Sequence, residues 1–236
     1  MDMKVRIQRF DPEKDTDPHY QEYTLENVAQ TDRVLDVLNR IKWELDGTLT
    51  YRRSCAHGIC GSDAIKVNGR NRLACSVLIQ DLKLRKPFMQ MEPVPGLPVV
   101  KDLIVDMSTF FEKYELMKPY LVPKEPAPER ERYQTNEDAE LLFEAAKCIL
   151  CGACTTSCPS LWTNEDYIGP AAFLKAYRFI LDTRDTIAGE RLDAIDTPDG
   201  LWRCHTIFNC VEACPKEIDI TWHISQLKKA AVAREV

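Results

Sequence analysis

Four cysteines in one short run, Cys148-x2-Cys151-x2-Cys154-x3-Cys158 followed by Pro159, constrain this chain more than any other feature. Thiolates at this spacing wrap a cubane iron-sulfur cluster in bacterial-type ferredoxins. A zinc site wants four ligands spread tetrahedrally from two short knuckles, which cysteines so close in sequence do not readily supply. Disulfides need an oxidising compartment. MDMKVRIQRF is too charged for a signal peptide, and the acidic DPEKD that follows argues against a transit peptide, so a reducing cytosol is the expected setting. Covalent haem would require Cys-x-x-Cys-His, which does not occur.

A second run, Cys204-x5-Cys210-x3-Cys214-Pro215, repeats the first, third and fourth positions and carries Ile207 at the second. In two-cluster ferredoxins the fourth cysteine of each run ligates the other cluster. The crossed assignment gives Cys148, Cys151, Cys154 and Cys214 to a 4Fe-4S cluster and leaves Cys158, Cys204 and Cys210 for a second one. Three thiolates suit a 3Fe-4S cluster; the alternative is that Ile207 faces a fourth iron ligated by solvent.

The remaining cysteines form Cys55-x4-Cys60-x2-Asp63-x11-Cys75. Plant-type 2Fe-2S domains use Cys-x4-Cys-x2-Cys and a distant fourth cysteine, so Asp63 stands in the third ligand's place. A carboxylate can bind iron through oxygen; the alternative is a loop aspartate that only hydrogen-bonds. Gly58 and Gly61 fit a loop that needs backbone freedom and close N–H approach to sulfur. His57 and Arg53 are expected to face solvent or support the ligands rather than bind iron. All ten cysteines are then used.

At 236 residues the chain has room for two modest domains. Hydrophobic residues at 44% and charged ones at 29% place it among globular proteins. A net charge of -6 without a basic patch argues against a nucleic-acid partner. No stretch approaches the ~18 apolar residues of a membrane span. KVRIQ and YTLEN alternate as strands, with Val5, Ile7, Tyr23 and Leu25 on their apolar faces. Thr31 is expected to cap a helix whose stripe is Val34, Val37, Leu38, Ile41 and Leu45. AIKV, the turn Asn68-Gly69 and RNRLAC predict a hairpin. VPKEPAPERER, residues 122–132, reads as a surface connection. Beyond it EDAELLFEAAK, GPAAFLKAYRFIL and ITWHISQLKKAAVA have helical spacing, with Gly169-Pro170 as a helix start. The class expected is α+β, with an N-terminal domain over 1–105 and a helical domain over 106–236.

RRSCAHGICGSD followed by LAC, then CILCGACTTSCPS, then RCHTIFNCVEACPK, together with PGLPVVKDLIVDM and IGPAAFLKAYRFILD between them, resembles the succinate dehydrogenase/fumarate reductase iron-sulfur protein family along nearly the whole chain. The resemblance is to the bacterial succinate dehydrogenase subunit, with the fumarate reductase subunit as the alternative. It implies an N-terminal β-grasp plant-type ferredoxin domain followed by an all-α bacterial-type ferredoxin domain. It also implies a flavoprotein partner carrying FAD and the succinate site, and membrane anchor subunits that help bind quinone. The chain is then peripheral on the cytoplasmic face of a bacterial plasma membrane. Electrons would run from FAD through 2Fe-2S, 4Fe-4S and 3Fe-4S to quinone, and this chain would hold no catalytic acid or base for succinate oxidation. The positions that match the family's quinone pocket are Pro159, His205 and Ile207. His205 could help supply protons, or instead hydrogen-bond a cluster sulfur. Relatives carry two tryptophans after CPS; this sequence reads SLWTNEDY, one residue shorter, and Trp162 is the expected quinone donor. A contrasting class is a structural protein in which zinc at the same cysteines merely holds the fold.

Overall fold

KVRIQ becomes the strand β1 (Met3–Arg9), in which Met3, Val5, Ile7 and Arg9 are buried and alternate with more exposed neighbours. The computed structural model describes residues 1–82 and 88–234. It divides into two compact units, Met1–Met107 with Cys151–Ser157, and Ser108–Leu150 with the chain from Cys158 onward.

In the first unit β2 (His19–Leu25) runs antiparallel to β1, placing Tyr23 opposite Val5. The helix α1 (Val34–Arg40) buries Val34, Leu35, Val37 and Leu38. β3 (Ala64–Val67) and β4 (Arg70–Leu73) make the expected hairpin. Its turn residues Asn68 and Gly69 have φ of 49° and 84°, the left-handed conformation a two-residue turn demands. β5 (Met89–Glu92) lies parallel to β1 and antiparallel to β3, so the sheet order is β2-β1-β5-β3-β4, a β-grasp arrangement. β6 (Val99–Lys101) and β7 (Ile104–Val105) pair separately.

Two local expectations are corrected. The helix begins after Arg33 rather than at Thr31, because the Asp36 carboxylate accepts the Arg33 N–H at 2.9 Å and so terminates the chain's N-terminal turn there. Leu45, expected in the apolar stripe, is 53% exposed. A π-helical turn over Ile41–Leu45 widens the spiral and rotates it away from the buried face.

The second unit is mainly helical: α2 (Ser108–Glu115), α3 (Asn136–Ala146), α5 (Pro159–Thr163), α6 (Pro170–Ile180), α7 (Ala188–Ile195), α8 (Asn209–Glu212) and α9 (Ile220–Arg234). Thr135 caps α3 by accepting the Asp138 N–H at 3.1 Å. Gly169 and Pro170 open α6 as their sequence predicts. The core is set by Phe173, Ala176 and Tyr177 of α6 and by Ile220, Ile224 and Leu227 of α9. The Tyr177 ring meets His223 edge-on at 4.5 Å. The proline-rich stretch 122–132 holds no helix or strand apart from a single bridge between Pro123 and Asp185. No helix among the described residues is long and apolar enough to cross a membrane. The molecule is thus α+β, a sheet domain followed by a mostly helical one.

Candidate iron-sulfur cluster sites

The loop that carries Cys55 and Cys60 starts from a fixed point. Thr50 donates its N–H to Asp102 at 2.8 Å, and the same carboxylate accepts Arg9 Nε at 2.9 Å. Tyr51 donates to Asn39 on α1 at 2.8 Å. Beyond this anchor Ala56, Gly58 and Gly61 take φ of 58°, 74° and 70°. Left-handed residues turn successive N–H groups toward one side, a concavity suited to anionic sulfur. Gly58 N–H reaches Cys75 Sγ and Cys60 N–H reaches Cys55 Sγ, both at 3.3 Å. Backbone donors, His57 first, pull the Cys55 thiol down to about 6. Burial first, and then Asp63, push Cys75 up to about 12, and iron binding would displace that proton.

Asp63 is 4% exposed. Its Oδ2 accepts the Cys75 N–H at 2.6 Å, while Oδ1 is buried without a hydrogen-bond partner. One oxygen thus performs the hydrogen-bonding role, and the other has no hydrogen-bond partner among the described residues. His57 and Arg53 are exposed; the imidazole Nδ1 lies 2.5 Å from Cys55 O, and the guanidinium sits over Trp43 at 5.2 Å.

Within the same unit, α4 (Ala153–Thr156) rests on the hairpin, where the Asn71 amide donates to Thr156 Oγ1 at 2.8 Å. A Cβ on Gly61 would stand 2.7 Å from Cys151 Cβ, so only glycine fits there.

The two ferredoxin runs share a backbone. Leu150 and Gly152 have φ of 56° and 76°; Thr206 and Phe208 have 57° and 69°. Gly152 (ψ -9°) precedes α4 as Phe208 (ψ -5°) precedes α8, and Ser157 and Ala213 close the two helices with φ of -88° and -86°. Cys148 therefore corresponds to Cys204, Cys154 to Cys210, and Ile207 to Cys151. A phenylalanine held in the left-handed region is a costly conformation that persists where function requires it. Cys148 and Cys214 lie in the second unit and Cys151 and Cys154 in the first.

Cys158, Cys204 and Cys210 line one cleft of the second unit. Pro159, His205 and Ile207 border the same cleft, whereas Trp162, 52% exposed on α5, does not. Burial pushes the Cys210 thiol up to about 11, against the opposing influence of Thr221, whose hydroxyl is 3.7 Å from the sulfur. Tyr167 is fully buried and also lines the cleft. Burial, followed by Cys158 and Cys204, raises its hydroxyl well above the ordinary phenol value. Neither Tyr167 nor Thr221 has a local sequence signal, since only the folded chain brings them to the cysteines.

All ten cysteines are free of disulfides. Among the described residues no three His, Cys, Asp or Glu side chains close on one point as a single zinc ion requires. At Cys55 and Cys75 the sulfurs are instead met by backbone N–H groups, as cluster-binding loops require.

Comparison with known proteins agrees with this chemistry. Residues 4–112 match the family described as 2Fe-2S iron-sulfur cluster binding domain, and residues 140–215 match the 4Fe-4S dicluster domain. The succinate dehydrogenase iron-sulfur subunit of Paracoccus denitrificans is 42% identical over 234 residues, covering 99% of this chain and 89% of that one. The subunit of the same name from Coxiella burnetii is 43% identical over 219 residues, 92% of each chain. Among solved structures, a chain of the Mycobacterium smegmatis Sdh1 complex in the apo form aligns with TM-score 0.90 at 28% identity, over 99% of this chain and 96% of that one. By sequence and structure alike, this chain belongs to the succinate dehydrogenase iron-sulfur subunit family.

Proposed function

We propose that this chain is the electron-transfer subunit of a membrane-bound succinate:quinone oxidoreductase, lying between the FAD of a flavoprotein subunit and a quinone bound with the help of membrane anchor subunits. The observation that carries this reading is the shared backbone of the two runs, which gives the second one an isoleucine where the first has a ligand. When bound, the clusters supply one-electron centres between a two-electron donor and a two-electron acceptor.

Cys55, Cys60, Asp63 and Cys75 would hold the 2Fe-2S cluster, Cys148, Cys151, Cys154 and Cys214 the 4Fe-4S cluster, and Cys158, Cys204 and Cys210 the 3Fe-4S cluster. The N–H groups of His57, Ile59 and Cys60 stabilise sulfur charge at Cys55. Cys75 and Cys210 are the buried members of the first and last sets. Pro159 and Ile207 offer an apolar border to the last set, and His205 brings the exposed polar group there. That border is where quinone would dock, on the side turned to the membrane anchors at the cytoplasmic face.

Purified with its partner subunits, the complex is expected to reduce a soluble quinone analogue with succinate faster than it reduces fumarate with a quinol. The opposite preference would make it a fumarate reductase, and no succinate-dependent reduction would overturn the proposal. Trp162→Leu is expected to weaken quinone reduction and quinone-site inhibitor binding together. Unchanged values for both would remove Trp162 from the quinone site.

A further inference from the structure

Tyr167 is fully buried, yet among the described residues its hydroxyl has no N or O hydrogen-bond partner. A buried hydroxyl left this way is a net cost that phenylalanine would avoid, so it calls for a partner other than the protein's own N and O atoms. The other buried hydroxyls of the cleft are engaged: Ser160 donates to Arg203 O at 3.0 Å, and Thr221 lies 3.7 Å from Cys210 Sγ. The ring is held in place. Phe173 packs on it edge-on at 5.7 Å, Lys113 Nζ donates to Tyr167 O at 2.9 Å, and Tyr167 N–H reaches Asn164 O at 3.2 Å. The cleft into which the residue is fixed is lined by Cys158, Cys204 and Cys210. The Cys158 sulfur stands close enough to interact with the hydroxyl without making a bond of normal geometry.

We propose that the Tyr167 hydroxyl donates a hydrogen bond to the sulfur of the iron-sulfur group held by Cys158, Cys204 and Cys210, and that it raises the reduction potential of that group. The inference rests on the ligand assignment made above. Reduction adds one electron and makes the sulfurs more negative, so a donor favours the reduced form; hydrogen bonds to sulfur are a recognised determinant of cluster potential. Tyr167 is thus a positioning residue for the electron's energy and not a ligand.

The test is potentiometric EPR of the three-iron signal in the whole complex, comparing unaltered chain, Tyr167→Phe, and a chain with 3-fluorotyrosine placed at 167. Phenylalanine keeps the ring contact with Phe173 and removes only the hydroxyl. It is expected to lower the reduced-to-oxidised ratio at fixed potential roughly tenfold, about 59 mV for a one-electron couple. The more acidic fluorinated phenol is a stronger donor and is expected to move the potential upward. The 2Fe-2S potential serves as the internal control and is expected to stay where it is. A three-iron signal whose potential moves with neither substitution overturns the inference while leaving the ligand assignment intact. Absence of a three-iron signal from the unaltered complex overturns both. If Tyr167→Phe fails to retain the cluster, the fluorotyrosine shift decides alone: an upward shift supports the inference and no shift overturns it.

Discussion

The two oxygens of Asp63 differ: Oδ2 fixes the Cys75 backbone, and Oδ1 is buried with no hydrogen-bond donor among the described residues. If Oδ1 binds iron, Asp63→Cys replaces a hard oxygen donor by a soft thiolate at the same position. The expected outcome is a retained 2Fe-2S EPR signal with changed g-values and a changed potential. An identical spectrum would contradict ligation and leave Asp63 as a hydrogen-bonding residue. Gly61 acts by having no side chain. Gly61→Ala would bring a Cβ within 2.7 Å of Cys151 Cβ at a φ of 70°, and is expected to destabilise the first unit by about 2 kcal/mol. The readout is a lower apparent melting temperature with loss of the 2Fe-2S absorbance.

At the scale of elements, the repeat of the two ferredoxin runs was legible because spacing is a local property, and their matched left-handed residues are its physical counterpart. Ile207→Cys restores the missing side chain on a backbone already shaped like that around Cys151, and is expected to convert the three-iron EPR signal to a four-iron one. Retention of an unchanged three-iron signal would contradict the correspondence of the two runs. Helices with long apolar stripes, such as α6 and α9, could likewise be read from spacing. Thr31 and Leu45 could not be placed, because the Asp36 carboxylate three residues past Arg33 chose the helix start and a π-helical turn changed the period. Nor could Asp182, beyond the end of α6, which is unexposed at its side chain between Arg178 at 2.7 Å and Arg184 at 2.8 Å. Burial raises its pKa, but bonds from Arg184 and Arg178 overcome this and hold it at about 2, below the ordinary 3.8. The unfolded chain therefore takes up the proton first, so this stabilisation is full above about pH 4 and is lost as pH falls toward 2. Asp182→Asn is expected to cost about 2 kcal/mol at neutral pH. In denaturant melts its difference from the unaltered chain should shrink as the pH is lowered through that window.

At the scale of the molecule, the inventory of clusters follows from cysteine spacing, whereas the surroundings that would tune them do not. Tyr167 and Thr221 reach the cysteines only through packing of chain segments far apart in sequence, and the Arg9–Asp102 pair that anchors the first loop joins residues from opposite ends of the sheet unit. Pro159, His205 and Ile207 share a cleft border, and Trp162 stands outside it. The central claim, three different clusters held by this one chain, is tested most directly by EPR of the isolated complex at graded potentials with iron and zinc counted in the same sample. The expected result is three separately titrating signals, of 2Fe-2S, 4Fe-4S and 3Fe-4S type, with about nine irons per chain. A colourless, zinc-containing preparation, or one with no three-iron signal, would contradict it.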